Sequence, residues 1–93
     1  MADRAYRAAP PGALRVEPLG ELTAIFDRRS MQTHLVVAPM PEILDAMGAE
    51  ACNAADIAAR LAAAFDFDSA EDVQPILAER LAELAAMGLV ERA

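Results

Sequence analysis

The apolar period changes once along this 93-residue chain, at Ala38, and that change restricts the fold more than any motif does. Before it lie three short segments of alternating or β-branched character. They are Leu14-Arg15-Val16-Glu17, Leu22 to Asp27 (with Thr23, Ile25 and Phe26), and Gln32 to Val37 (with Thr33, Leu35, Val36 and Val37). Such patterns favour strands over helices. Pro18 and Gly20 stop the first segment, and Arg28-Arg29-Ser30 is the expected turn between the second and third. Met1 to Gly12 has no clear period and ends in Pro10-Pro11-Gly12, so residues 1–12 read as a flexible N-terminal arm before one domain spanning 13–93.

After Ala38 the spacing is helical. Pro39 and Pro41 suit a first turn, where a missing N–H has no intrahelical partner to lose. Ile43, Leu44 and Met47 supply an apolar stripe, and Gly48 ends that helix. Asn53 is a natural N-cap for a second helix, with Asp56 near the positive end of its dipole and Ile57 and Leu61 on its buried side. A third helix, capped by Ser69 or, preferably, by Asp72, which places Pro75 in its first turn, carries Val73, Ile76, Leu77, Leu81 and Leu84. It ends at Met87-Gly88, and Leu89-Val90 follows as an apolar anchor. Strands followed by helices predict an α+β fold, winged-helix-like, with a three-stranded antiparallel sheet followed by three helices.

Composition narrows the function. Hydrophobic residues make up 56% of the chain, which excludes a disordered acidic tail as the whole molecule. Much of that share is alanine (23 residues), which favours helix but contributes little buried area, so the core is expected to be thin. The net charge of −7 is unevenly placed: residues 1–39 hold five arginines against four acids, and residues 40–93 hold three against eleven. An acidic helical half is a poor footprint for nucleic acid or an anionic membrane. The second helix carries only Arg60 as a cation, and the third sets Arg80 among Glu79 and Glu83, so neither suits base readout. With no apolar run of about 18 residues and no export leader, the cytoplasm is the expected compartment.

Constellations for catalysis are sparse. His34 is the one histidine, and it falls in a strand with no nucleophile placed beside it. Cys52 is the one cysteine, read as a small buried residue rather than a nucleophile. The glycines punctuate turns and form no phosphate loop, and no local spacing of ligands suggests a metal or other cofactor. The acidic residues Asp66, Asp68, Glu71 and Asp72 read as solvation and dipole complement around a connector. Binding through backbone remains. A three-stranded meander leaves an edge rich in Thr and Val, which can accept an extended peptide, the chain's own arm, or a second copy as a homodimer.

The chain resembles PqqD-like proteins, the leader-peptide-binding modules of ribosomally made, modified peptides, and within them the branch of the HPr-rel-A system. The resemblance is carried by Asp27-Arg28-Arg29-Ser30-Met31-Gln32-Thr33-His34-Leu35, by Ile43-Leu44, by the run from Ala54 to Leu61, and by Leu81-Ala82-Glu83-Leu84-Ala85-Ala86-Met87-Gly88-Leu89-Val90. It spans most of residues 14–90. What it implies is a non-catalytic peptide chaperone that holds a precursor's leader segment for a modifying enzyme or a protein related to HPr kinase. The leader would pair with the third strand at Thr33, His34, Leu35, Val36 and Val37, in a groove whose other wall is Val73, Ile76, Leu77 and Arg80. Arg80 would meet a leader carboxylate or pair with Glu79 or Glu83. An accessory subunit of a kinase-like enzyme complex, and a winged-helix regulator, are the alternatives. The chain departs from the resemblance at Ala38-Pro39-Met40-Pro41, which delays the first helix, and in its acidic helical half, which suits a basic or neutral leader.

Overall fold

The computed structural model describes residues 4–10, 12–48, 50–65 and 73–93. Its elements run β1 (Tyr6–Ala8), β2 (Leu14–Leu19), β3 (Leu22–Asp27), β4 (Gln32–Val36), α1 (Met40–Met47), α2 (Ala54–Phe65), α3 (Gln74–Ala86) and β5 (Val90–Arg92). The fold is α+β, with an antiparallel sheet in the order β2-β3-β4 and three helices following it. The period change at Ala38 is therefore the boundary between sheet and helices.

The arm differs from the sequence reading, whereas the Leu89-Val90 anchor is buried as expected and leads into β5. Residues 6–8 are not a loose arm but a strand, antiparallel to β5 with Tyr6 opposite Arg92 and Ala8 opposite Val90. Tyr6 also exchanges backbone hydrogen bonds with Cys52, its N–H donating to the Cys52 carbonyl at 2.8 Å and its carbonyl accepting from the Cys52 N–H at 2.9 Å. Tyr6 of β1, 6% exposed, and Val90 of β5, 3% exposed, hold this ribbon against the core. That gain in buried area offsets the ordering of a short segment with little periodicity of its own. Pro18 does not stop β2 but lies within it, opposite Thr23. β2 is an edge strand, where a missing N–H leaves no ladder bond broken.

The helices end as their residues dictate. Asn53 and Asp56 cap α2 reciprocally: the Asn53 side chain accepts from the Asp56 N–H at 2.9 Å, and the Asp56 carboxylate accepts from the Asn53 N–H at 3.0 Å. The Asp72 cap expected for α3 lies outside the described residues; the helix begins after Val73, with Pro75 in its first turn. At its other end Gly88 takes φ +79°, and the Gly88 and Leu89 N–H groups donate to the Ala85 and Leu84 carbonyls. This is the Schellman arrangement, which only a residue tolerant of left-handed backbone closes without strain. It turns Leu89 into the core, where it is fully buried. Arg60 of α2 donates to the Ala46 and Met47 carbonyls at 2.8 and 2.9 Å, satisfying the C-terminal end of α1.

The core lies among the helices and under half of the sheet. Ile43 and Met47 of α1, Ile57 of α2, and Leu81 and Leu84 of α3 are fully buried and share one cluster with Ile25 of β3. Opposed residues of an antiparallel pair share a face, so Ile25, His34 and Val16 point to the helix side, as do Thr23 and Val36. Ile25 and Val36 are buried, whereas Val16 is 51% exposed. The helical layer therefore covers β3 and β4 and, beyond Leu14, leaves β2 exposed. Among the described residues no helix is long and apolar enough to cross a membrane.

Candidate functional site

Strand register decides which edge of the sheet is available. The Arg28 N–H donates to the Ala13 carbonyl at 2.9 Å, which continues the β2–β3 ladder one pair beyond Leu14 and Asp27. Hydrogen-bonded pairs alternate along such a ladder, so Phe26 and Ala24 bond to β2, while Asp27, Ile25 and Thr23 face β4. On β4 the partners are Gln32, His34 and Val36. The backbone N–H and C=O groups of Thr33 and Leu35 consequently point away from the sheet. Among the described residues no strand pairs with them. The arm expected as one cover for this edge is instead joined to β5.

Beside that edge runs a groove of about 490 Å³ between the end of β4 and α3. One wall is Leu35, Val36, Val37, Ala38, Pro39 and Met40; the other is Ile76, Arg80, Glu83 and Met87. Of the residues read from the sequence as binding, the structure brings Leu35, Val36, Val37, Ile76 and Arg80 together here. Thr33 stands exposed on the edge itself, and His34 is half-buried on the helix side with its Nε2 enclosed and unpartnered among the described residues. Leu77 and Val73 do not line the groove. Leu77 is 3% exposed within the core and Val73 packs against that core. Glu83, Met87 and Met40 line the groove instead.

Helical periodicity explains this placement. Positions 76, 80, 83 and 87 advance by four, three and four residues and fall on one face, whereas 77, 81 and 84 form the adjacent buried face. Tracing the spacing forward from Ile76 and Arg80 finds Glu83 and Met87. Arg80 is paired with Glu83 on this face, which leaves the groove apolar with one neutralised charge pair at its side. Methionines at both walls add side chains that adapt their shape to a guest. A larger hollow of about 700 Å³ lies beyond the other side of α3, but Ala82, Ala85, Ala86 and Gly88 wall it and its strand is the three-residue β5.

The turn before β4 is fixed by an ion pair that the sequence did not single out. Asp27, 4% exposed, accepts from the Arg29 backbone N–H at 2.9 Å and from Arg29 Nε and Nη2 at 3.0 and 3.1 Å. Nη2 also donates to the Gly88 carbonyl at 3.0 Å. Arg29 thus ties the β3–β4 turn to the C-terminus of α3. Hydrogen bonding to the Arg29 side chain, more than any other influence, holds the Asp27 carboxyl below the ordinary carboxylate range. Burial pushes the Cys52 thiol the other way, above its ordinary range; it is 1% exposed with its sulfur against the Met47 carbonyl. No group of metal-ligating side chains converges among the described residues.

No family model, curated protein or solved structure matches the chain.

Proposed function

We propose that this chain is a non-catalytic, PqqD-like peptide chaperone of winged-helix-like architecture, acting in the cytoplasm. It holds the leader segment of a ribosomally made precursor as an added strand on β4 and presents it to a modifying enzyme or an HPr-kinase-related partner. The observation that carries this reading is the coincidence of an unpaired strand edge and an apolar groove along the same strand. The outward N–H and C=O groups of Thr33 and Leu35 supply main-chain hydrogen bonds without regard to sequence. Alternate side chains of the guest enter the groove against Ile76 and Met87 and supply selectivity. The groove is apolar and its arginine is neutralised by Glu83, so the guest is held by aliphatic or aromatic anchors rather than by charge.

The resemblance in Asp27 to Leu35 supports the same reading, because those residues build the turn and the strand that present the edge. Titration of isotopically labelled protein with the precursor peptide encoded nearby tests it. Shifts are expected along β4 and at Ile76, Arg80, Glu83 and Met87. Shifts confined to α1 and α2 would overturn it.

A further inference from the structure

We infer that in the absence of a peptide the β4 edge pairs antiparallel with the β4 edge of a second copy, about a two-fold axis at His34. Dimerisation and peptide binding then exclude one another. The exclusion rests on the peptide-binding reading of the groove; the dimer does not.

The first argument is the placement of free backbone groups. An axis at His34 sets Thr33 opposite Leu35 of the second copy and Leu35 opposite Thr33. Both residues have outward N–H and C=O groups, so each pair exchanges both of its bonds, and the His34 residues meet as a non-hydrogen-bonded pair. An axis one residue later, at Leu35, is poorer. It needs Val37, whose carbonyl already accepts from the Met40 N–H at 3.0 Å, and it sets Met31 opposite Pro39, which has no N–H.

The second argument is what the pairing covers. Met31, Leu35 and Val37 are 73%, 61% and 52% exposed, and Val16, Leu19 and Leu22 make a second exposed apolar group on the β2–β3 hairpin. The His34 axis sets Thr33 opposite Leu35, so Leu35 gains a cross-strand neighbour, and it brings the two ends of the strand, next to Met31 and Val37, towards each other. The third argument is the contrast between the two edges of the sheet. β2 is guarded by Pro18, whose position on the ladder faces outward and lacks a donor, and by the charges of Arg15 and Glu17. β4 has no proline and no charged side chain from Gln32 to Val36. The guarded edge stays single and the unguarded one finds a partner. Joining two copies at β4 makes one continuous six-stranded sheet whose outer strands are the protected β2.

Sedimentation equilibrium of the full chain without peptide tests the dimer, with two double variants at exposed positions. Thr33→Glu with Leu35→Glu places like charges opposite each other, and Thr33→Lys with Leu35→Glu places opposite charges there. The dissociation constants of the two variants are expected to differ by about tenfold or more, the like-charge variant being the weaker dimer. A synthetic peptide of residues 31–37 is expected to convert the wild-type dimer into monomers carrying one peptide each. A chain that stays monomeric, variants with equal dissociation constants, or a dimer unaffected by the peptide would overturn the inference. The two readings fail separately. A chain that binds the precursor yet never dimerises removes this one and keeps the leader site, whereas a dimer that follows the charge rule yet binds no precursor keeps the dimer and removes its regulatory role.

Discussion

Ile76 and Leu77 are neighbours on α3 that face different surroundings, and truncating each separates binding from folding. Ile76→Ala removes three carbon groups, worth about 2.4 kcal/mol at about 0.8 kcal/mol each if fully buried. The residue is 48% exposed, so about half of that value, roughly 1.2 kcal/mol, is already realised in the free protein. Alanine's better helix propensity returns a few tenths, leaving an expected loss of stability of about 0.8 kcal/mol. The other half is realised only when a peptide closes the groove, so affinity should fall by about 1.2 kcal/mol, an increase in Kd of about eightfold. Leu77→Ala, at 3% exposure, should cost about 2–5 kcal/mol of stability and leave the affinity of the folded protein unchanged. Urea denaturation gives the first quantity and fluorescence anisotropy of a dye-labelled leader peptide gives the second. If Ile76→Ala leaves Kd within a factor of two, or Leu77→Ala weakens binding as much as Ile76→Ala, the groove is not where the peptide lies.

Three further outcomes follow from the geometry. Asp27 has a lowered carboxyl pKa, so its contribution to stability is fully present above the ordinary carboxylate range and is lost as pH falls through its own lower value. The stability difference between wild type and Asp27→Asn should therefore be flat at neutral pH and shrink at acid pH; a difference that grows on acidification would contradict the clasp with Arg29. Gly88→Ala meets no atom within 4 Å of its new Cβ, so its cost is conformational alone, about 1–2 kcal/mol from φ +79°, measurable by thermal or chemical unfolding. Cys52, buried and with a raised thiol pKa, should resist alkylation in the native protein and react at the rate of opening; labelling as fast as in urea would contradict its burial.

The period change at Ala38 and the turn and cap residues carried most of the fold, because strands, helices and their ends are local. Asn53 announces the start of α2 and Gly88 the end of α3 through backbone chemistry that a few neighbouring residues settle. The β1–β5 ribbon was not legible. Tyr6 and Arg92 lie at opposite ends of the chain, and neither three-residue strand has a period to read. The Arg29 clasp was hidden for the same reason: its link to the Gly88 carbonyl spans 59 residues, and the sequence shows only a turn with two arginines.

The candidate site was legible in outline. Leu35, Val36 and Val37 could be placed on a strand, and Ile76 and Arg80 on the helix opposite, from pattern and resemblance together. Val73 and Leu77 lie about one residue around α3 from the face that lines the groove. A hydrophobic stripe marks which residues are apolar, but which of two adjacent apolar rows meets the core depends on how the helix is set against the sheet. The Arg29 bond to the Gly88 carbonyl and the burial of Leu89 fix that rotation, and both are tertiary facts.

Amide hydrogen exchange on β4, at chain concentrations low enough to keep the free protein monomeric, with and without the precursor's leader peptide, bears most directly on strand addition. Protection should rise at the Thr33 and Leu35 amides, which point out of the sheet, while His34 and Val36, already bonded to β3, change little. The outward amides of β2, at Leu14 and Val16, serve as the internal control and should be unaffected. Protection at Leu14 and Val16, or none at Thr33 and Leu35 under saturating peptide, would contradict the assignment of β4 as the binding edge.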